Sequence, residues 1–169
     1  MREKTMVKII LFLLILIGIG ISISLFSTTQ TSIVTQKTAD FLPIEMQVGI
    51  FEDSHCGVVI HDLTDAAQVI FPDQAVFFFH DHGGMAEWLH KQQNKHQALI
   101  WVHTRDTLRL IKAQDAFFST DDSTIMGSGY GAYEHNAPGR IRFDELLERI
   151  ATKPTARKMS HRHHSKETQ

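Results

Sequence analysis

The sequence predicts an α+β domain: two ββα-type units sharing one core, preceded by an N-terminal transmembrane helix. Three observations carry that prediction. Short β-rich runs alternate with two stretches of helical spacing, the pattern of domains in which strands and helices pack as layers. The order strand, strand, helix occurs once before residue 97 and again after it. An almost unbroken apolar run stands apart from both, ahead of a polar Ser/Thr stretch.

Residues 1–8 form a basic leader containing Arg2, Lys4 and Lys8. The apolar run 9–26 follows, interrupted only by Gly18, Gly20, Ser22 and Ser24. Its 18 residues reach the lower range for a spanning helix. They exceed a signal-peptide core of about 7–15 residues. A basic leader stays in the cytoplasm, so the expectation is a single-pass anchor with the rest of the chain on the periplasmic side of the inner membrane. Cleavage near Ser22 or Ser24 is the alternative. Residues 27–42 read as a polar tether, 43–152 as the folded domain, and 153–169 as a disordered, His-containing tail.

Within the domain, Met46 to Phe51 reads as a strand and Glu52 to Gly57 as a loop. Ala66 to Phe71 and Ala75 to Phe79 flank Pro72-Asp73-Gln74, a hairpin signal. A helix is expected over 83–96, capped by Asp81 and carrying Met85, Trp88, Leu89 and Gln92 on one face. Glu87 and Lys91 add an i,i+4 pair. Strands follow at 98–103, within 110–119 and at 128–135. A last helix begins after Asp144, with Phe143, Leu146, Leu147 and Ile150 at amphipathic spacing.

The formal charge of −2 over 169 residues offers no electrostatic footprint for nucleic acid. There is no G-x-S-x-G elbow and no H-E-x-x-H, so no enzyme is expected. The lone cysteine is the most informative residue. Cys56 lies in His55-Cys56-Gly57, and outside the cytoplasm a single thiol must be buried, paired with another molecule or protected by a metal.

Three readings of Cys56 stand open at this point, one of them a reactive nucleophile paired with a histidine base. Another is a small buried hydrophobe. The third is a metal ligand: a soft thiolate beside the His55 imidazole suits Cu(I), with Zn(II) as the usual competitor. Met126, ahead of Gly127-Ser128-Gly129-Tyr130-Gly131, is either a thioether ligand on a glycine-rich approach or a filler of the core. His82 and Met85 share a helical face and are further candidates, against a plain helix start. His161, His163 and His164 belong to the tail.

Several blocks together resemble the NosL family of copper-binding accessory proteins for nitrous oxide reductase. Cys56-Gly57 resembles that family's Cys-Gly motif, and Phe77-Phe78-Phe79-His80-Asp81 leads to Gly84-Met85. Ile111 to Phe118 and Ile125-Met126-Gly127-Ser128-Gly129-Tyr130-Gly131-Ala132-Tyr133 complete the likeness, which runs from about Glu52 to Ile150. The resemblance implies a periplasmic Cu(I) chaperone with Cys56 and Met126 as ligands and His55 as the local choice for a third. It implies as partners an exported copper enzyme such as nitrous oxide reductase and its membrane-bound maturation complex. Three departures are visible: an apolar N-terminal segment in place of a lipoprotein signal, Val58 where a methionine is common, and Ile125 where many relatives have proline. A reading of a different class is a non-metallated, membrane-anchored interaction module for an envelope complex.

Overall fold

Ala75 to Phe79 shows why a sheet forms here and why it is covered on both sides. The run is apolar at every position, and β-branched and aromatic residues suit a pleated surface with no solvent face. The computed structural model describes residues 11–16 and 32–152. In it, five strands pair antiparallel in the order β1-β3-β2-β4-β5. They are β1 (Thr35–Lys37), β2 (Ala67–Ile70), β3 (Ala75–Phe79), β4 (Leu99–His103) and β5 (Leu110–Lys112).

One face of this sheet presents Ala67, Val69, Phe79, Ile100 and Val102 to the helices α1 (His82–His90) and α2 (Phe143–Thr152). Met85, Leu89, Leu146 and Ile150 complete that core. The opposite face presents Ile70, Val76 and Phe78 to an irregular layer holding Met46, Phe51 and Ile60. Full burial of one such side chain contributes about 1.5–3 kcal/mol. The alternation within β3 thus serves two cores. A small sheet, ordered β7-β6-β8, joins the helical side through β6 (Phe117–Phe118), β7 (Ala132–Tyr133) and β8 (Ile141–Arg142).

The mixed α+β class holds, and both helices share one core. The first ββα unit is β2-β3-α1; the second is interrupted, because β4 and β5 extend the same sheet and the small sheet precedes α2. Four local expectations differ. Met46 to Phe51 is a turn closed at Gly49, whose N–H donates to the Ile60 carbonyl (2.8 Å), at a φ of +80° that favours glycine. The helix expected over 83–96 ends at His90, because nothing after Leu89 on its face is apolar enough to bury. Only Ala132–Tyr133 of the 128–135 run pairs, since Gly127 and Gly129 turn the chain at φ +67° and +89°. Thr35–Lys37, read as part of the tether, pairs with Ala75 to Phe77 at the sheet edge.

Of the apolar run 9–26, residues 11–16 are described and helical; its remainder, the leader and the tail lie outside the described residues. Among the described residues no helix is long and apolar enough to cross a membrane.

A buried glutamine fastens the irregular layer to the sheet. Gln68 is fully buried, accepts the Ile44 N–H at 2.8 Å and donates to the Ile44 carbonyl at 2.6 Å, so its amide stands in for a neighbouring strand. Replacing it by leucine strands both backbone groups. Gln68→Leu is expected to lower unfolding free energy by about 1–3 kcal/mol, read from urea denaturation.

Candidate metal centre

The loop carrying Cys56 is a short hairpin built on an aspartate. Asp53 N–H donates to the Val58 carbonyl and Gly57 N–H to the Asp53 carbonyl (2.9 and 2.8 Å). Glu52 and Val59 pair outside that turn. Gly57 closes it at φ +74°. Asp53 itself is 1% exposed. Its Oδ1 accepts the N–H groups of His55 (2.7 Å) and Cys56 (3.0 Å), an Asx turn that fixes where the thiol projects.

The same carboxylate reaches across to the end of β3. Asp53 Oδ2 accepts the His80 N–H at 2.8 Å and lies 3.2 Å from His80 Nδ1. The Cys56 sulfur, a ring nitrogen of His80 and an Asp53 oxygen all lie within 4.8 Å of one another. Among the described residues this is the group of three His, Cys, Asp or Glu side chains placed to hold a metal ion. Asp53 already accepts three backbone N–H groups. We therefore read it as the carboxylate that orients His80, with Nδ1–H donated to it and Nε2 left to bind, the arrangement typical of ligating histidines.

A second buried aspartate organises the other side. Asp81 caps α1, accepting the Gly84 N–H on Oδ1 (2.8 Å), and its Oδ2 accepts the Met126 N–H (3.3 Å). Burial pushes the Asp81 pKa up, but the Gly84 N–H, the hydroxyls of Thr124 and Ser128 and the Met126 N–H outweigh it and hold the group below its ordinary 3.8. A Cβ on Gly84 would come within 2.9 Å of Met126 Sδ, so the thioether rests on the first turn of α1. Met126 is 40% exposed, and its N–H is bonded to Asp81, the residue after His80. Arg105 steadies the same loop from behind, bound to both Asp65 oxygens and donating to the Ser123 carbonyl.

The residues expected from sequence separate clearly. Cys56 is exposed and clustered with His80, and Met126 rests on the first turn of α1 at Gly84, its N–H bonded to Asp81. His55 points elsewhere, its Nε2 3.8 Å from Glu87 Oε2 on α1. His82 is fully buried, with Nδ1 against the Tyr130 carbonyl (3.1 Å) and its ring edge-on to Phe118. Met85 is fully buried among Val69, Phe79 and Leu89 in the helix-side core. His80 and Asp53 were not singled out as ligands. The signal for them was an acidic residue three positions before Cys56 and a histidine ending the Phe-rich strand.

The thiol is tuned toward its protonated form. Partial burial raises the Cys56 pKa above its ordinary 9.0, the Val58 backbone works against this, and the Asp53 carboxylate adds to the rise. Without metal the sulfur is therefore a thiol at neutral pH, and binding a metal must expel its proton. Alkylation of metal-free Cys56 by iodoacetamide is expected to be slow at pH 7 and still rising at pH 9.0, with Asp53→Asn moving the profile to lower pH. A rate that levels off below pH 8 would contradict this electrostatic picture.

Neither a family model nor a curated protein matches the chain in sequence. Among solved structures, the crystal structure of the copper chaperone NosL from Shewanella denitrificans is similar, at a TM-score of 0.53 and 19% identity. The match covers 62% of this chain and 96% of that one. The likeness read from sequence blocks thus extends to three dimensions: this chain adopts the fold of the copper chaperone NosL.

Proposed function

We propose that this protein is a copper chaperone that carries Cu(I) on Cys56, His80 and Met126. The observation that carries the reading is the approach of the Cys56 sulfur, His80 and Asp53 to within 4.8 Å, in a fold shared with a copper chaperone. A thiolate and a thioether are soft donors and favour Cu(I), and imidazole serves copper and zinc alike. Three donors with two on exposed residues leave a side open, so a recipient's ligand can attack before the last chaperone bond breaks.

On this reading the apolar run 9–26 anchors the chain at the periplasmic side of the inner membrane. The recipient is an exported copper enzyme, nitrous oxide reductase or a relative, served directly or through a membrane-bound maturation complex. No catalytic role is assigned. The site also admits Zn(II), because His80 is a ligand it accepts beside a thiolate.

Anaerobic competition against a Cu(I) chelator tests the site in the full chain. One equivalent is expected to bind. Cys56→Ala should weaken binding more than about 100-fold, beyond the 10–100-fold that loss of an outer partner costs. His80→Ala and Met126→Ala should each weaken it measurably, and His55→Ala should leave it unchanged. Tight binding that survives Cys56→Ala, or a Zn(II) ion that excess Cu(I) cannot displace, would sink the proposal.

Gly84→Ala separates the thioether's position from its presence. Alanine favours the helix by about 1 kcal/mol over glycine, yet its Cβ needs the space that Met126 Sδ occupies. Cu(I) affinity is expected to fall about 10-fold, within the range for a misplaced supporting contact, while thermal stability is kept. Unchanged affinity would remove Met126 from the coordination set.

A further inference from the structure

The segment that enters the domain is stitched to the metal loop. Ile33 N–H donates to the Ile50 carbonyl (2.8 Å), and the Ile33 carbonyl accepts the Glu52 N–H (2.9 Å). Ser32 Oγ donates to Glu52 Oε2 at 2.5 Å, and Ser54 Oγ donates to the Val34 carbonyl at 3.3 Å. Glu52 and Ser54 are the residues on either side of Asp53. The other Glu52 oxygen lies against the loop at Gly57, 3.6 Å from where a Cβ would stand. Ser54 is also tied to β3, its N–H donating to the Phe78 carbonyl (2.8 Å).

The same segment then runs into β1, where Thr35 to Lys37 pair with Phe77 to Ala75. Its far end is held at the β2–β3 turn, with Lys37 Nζ donating to the Asp73 carbonyl (3.1 Å) and Thr38 N–H to the Gln74 carbonyl (3.0 Å). One short stretch therefore has two separate attachments. Only the first touches the metal loop.

We infer that residues 32–34 are a clasp that positions the Cys56 loop, and that Ser32 is a positioning residue of the metal centre acting through Glu52. The inference rests on the Cu(I) reading of that centre. Asp53 directs both the thiol and His80, and its own direction is set by the backbone of Glu52 and Ser54. Both neighbours are fastened to the entering segment. With the clasp released, the hairpin keeps its internal hydrogen bonds and its ties to β3 through Ser54 and Asp53, but it loses its support on the other side, and the distance from sulfur to imidazole is held less firmly.

The test uses the full chain and two readouts: Cu(I) affinity, and the alkylation rate of metal-free Cys56. Ser32→Ala is expected to lower affinity about 3–10-fold, the worth of one hydrogen bond, and to speed alkylation. Ser32→Thr, which keeps the hydroxyl, should restore both. Lys37→Ala, at the far attachment, should move neither. Unchanged alkylation in Ser32→Ala overturns the clasp whatever the metal does, and equal effects from Lys37→Ala overturn it in favour of a general loosening of the strand. If the wild-type chain binds no Cu(I) while Ser32→Ala still speeds alkylation, the clasp stands and the copper reading fails.

Discussion

The site depends on one buried carboxylate. Asp53 is almost wholly removed from water, and a carboxylate in that position is tolerated only when its oxygens are answered by donors. Here the donors are the N–H groups of His55, Cys56 and His80. Two of them belong to the aspartate's own loop and one to the end of β3. Satisfying the charge therefore fixes the loop to the sheet. The geometry that a metal would need, a sulfur beside an imidazole, is a by-product of solvating Asp53 with backbone.

Asp81 repeats this logic one residue after His80. It joins the N-terminus of α1 to the loop of Met126, and the glycines of the first helical turn let that loop lie directly on the helix. Residues 80 and 81 thus share the work. His80 faces the Asp53 loop, and Asp81 faces the Met126 loop. Both loops converge on the junction of β3 and α1, which the two-sided burial of the sheet holds rigid: Phe78 packs into one core and Phe79 into the other. A strand with one wet face would leave that junction free to tilt.

Much of this was legible in the sequence, and the parts that were not share a cause. The hairpin 66–79, the cap at Asp81 and the final helix follow from local pattern, where turn chemistry and periodicity agree. Cys56 stands out in the sequence as the single cysteine, and Met126 as a thioether ahead of a glycine-rich run. His55 was chosen because it adjoins Cys56, but neighbours in a tight turn diverge, and its ring faces Glu87 instead. His80 is 24 residues from Cys56 by sequence numbering, and only the pairing of the Asp53 loop with β3 brings them together. Likewise Ser32 to Lys37 looks like a linker because it is polar, yet an edge strand has one unpaired side and is expected to be polar. Local composition cannot distinguish a tether from an edge strand. Only the presence of an unpaired neighbour, β3, decides it.

Exposure divides the proposed donors in a way that bears on release. His80 is buried at 5% exposure, while Cys56 and Met126 lie on the surface. An incoming ligand therefore meets the two sulfurs first and the imidazole last. Ligand exchange would begin at the softest, most exposed bonds, where a thiolate or thioether from the recipient competes on equal chemical terms. On the copper reading, the Asp53 carboxylate favours the loss of the Cys56 bond, an early step. Once the metal leaves sulfur, the thiol regains its proton beside Asp53, and the raised pKa of Cys56 makes that reprotonation favourable at neutral pH. On the copper reading, the electrostatics expected to slow alkylation of Cys56 would also favour release of the metal.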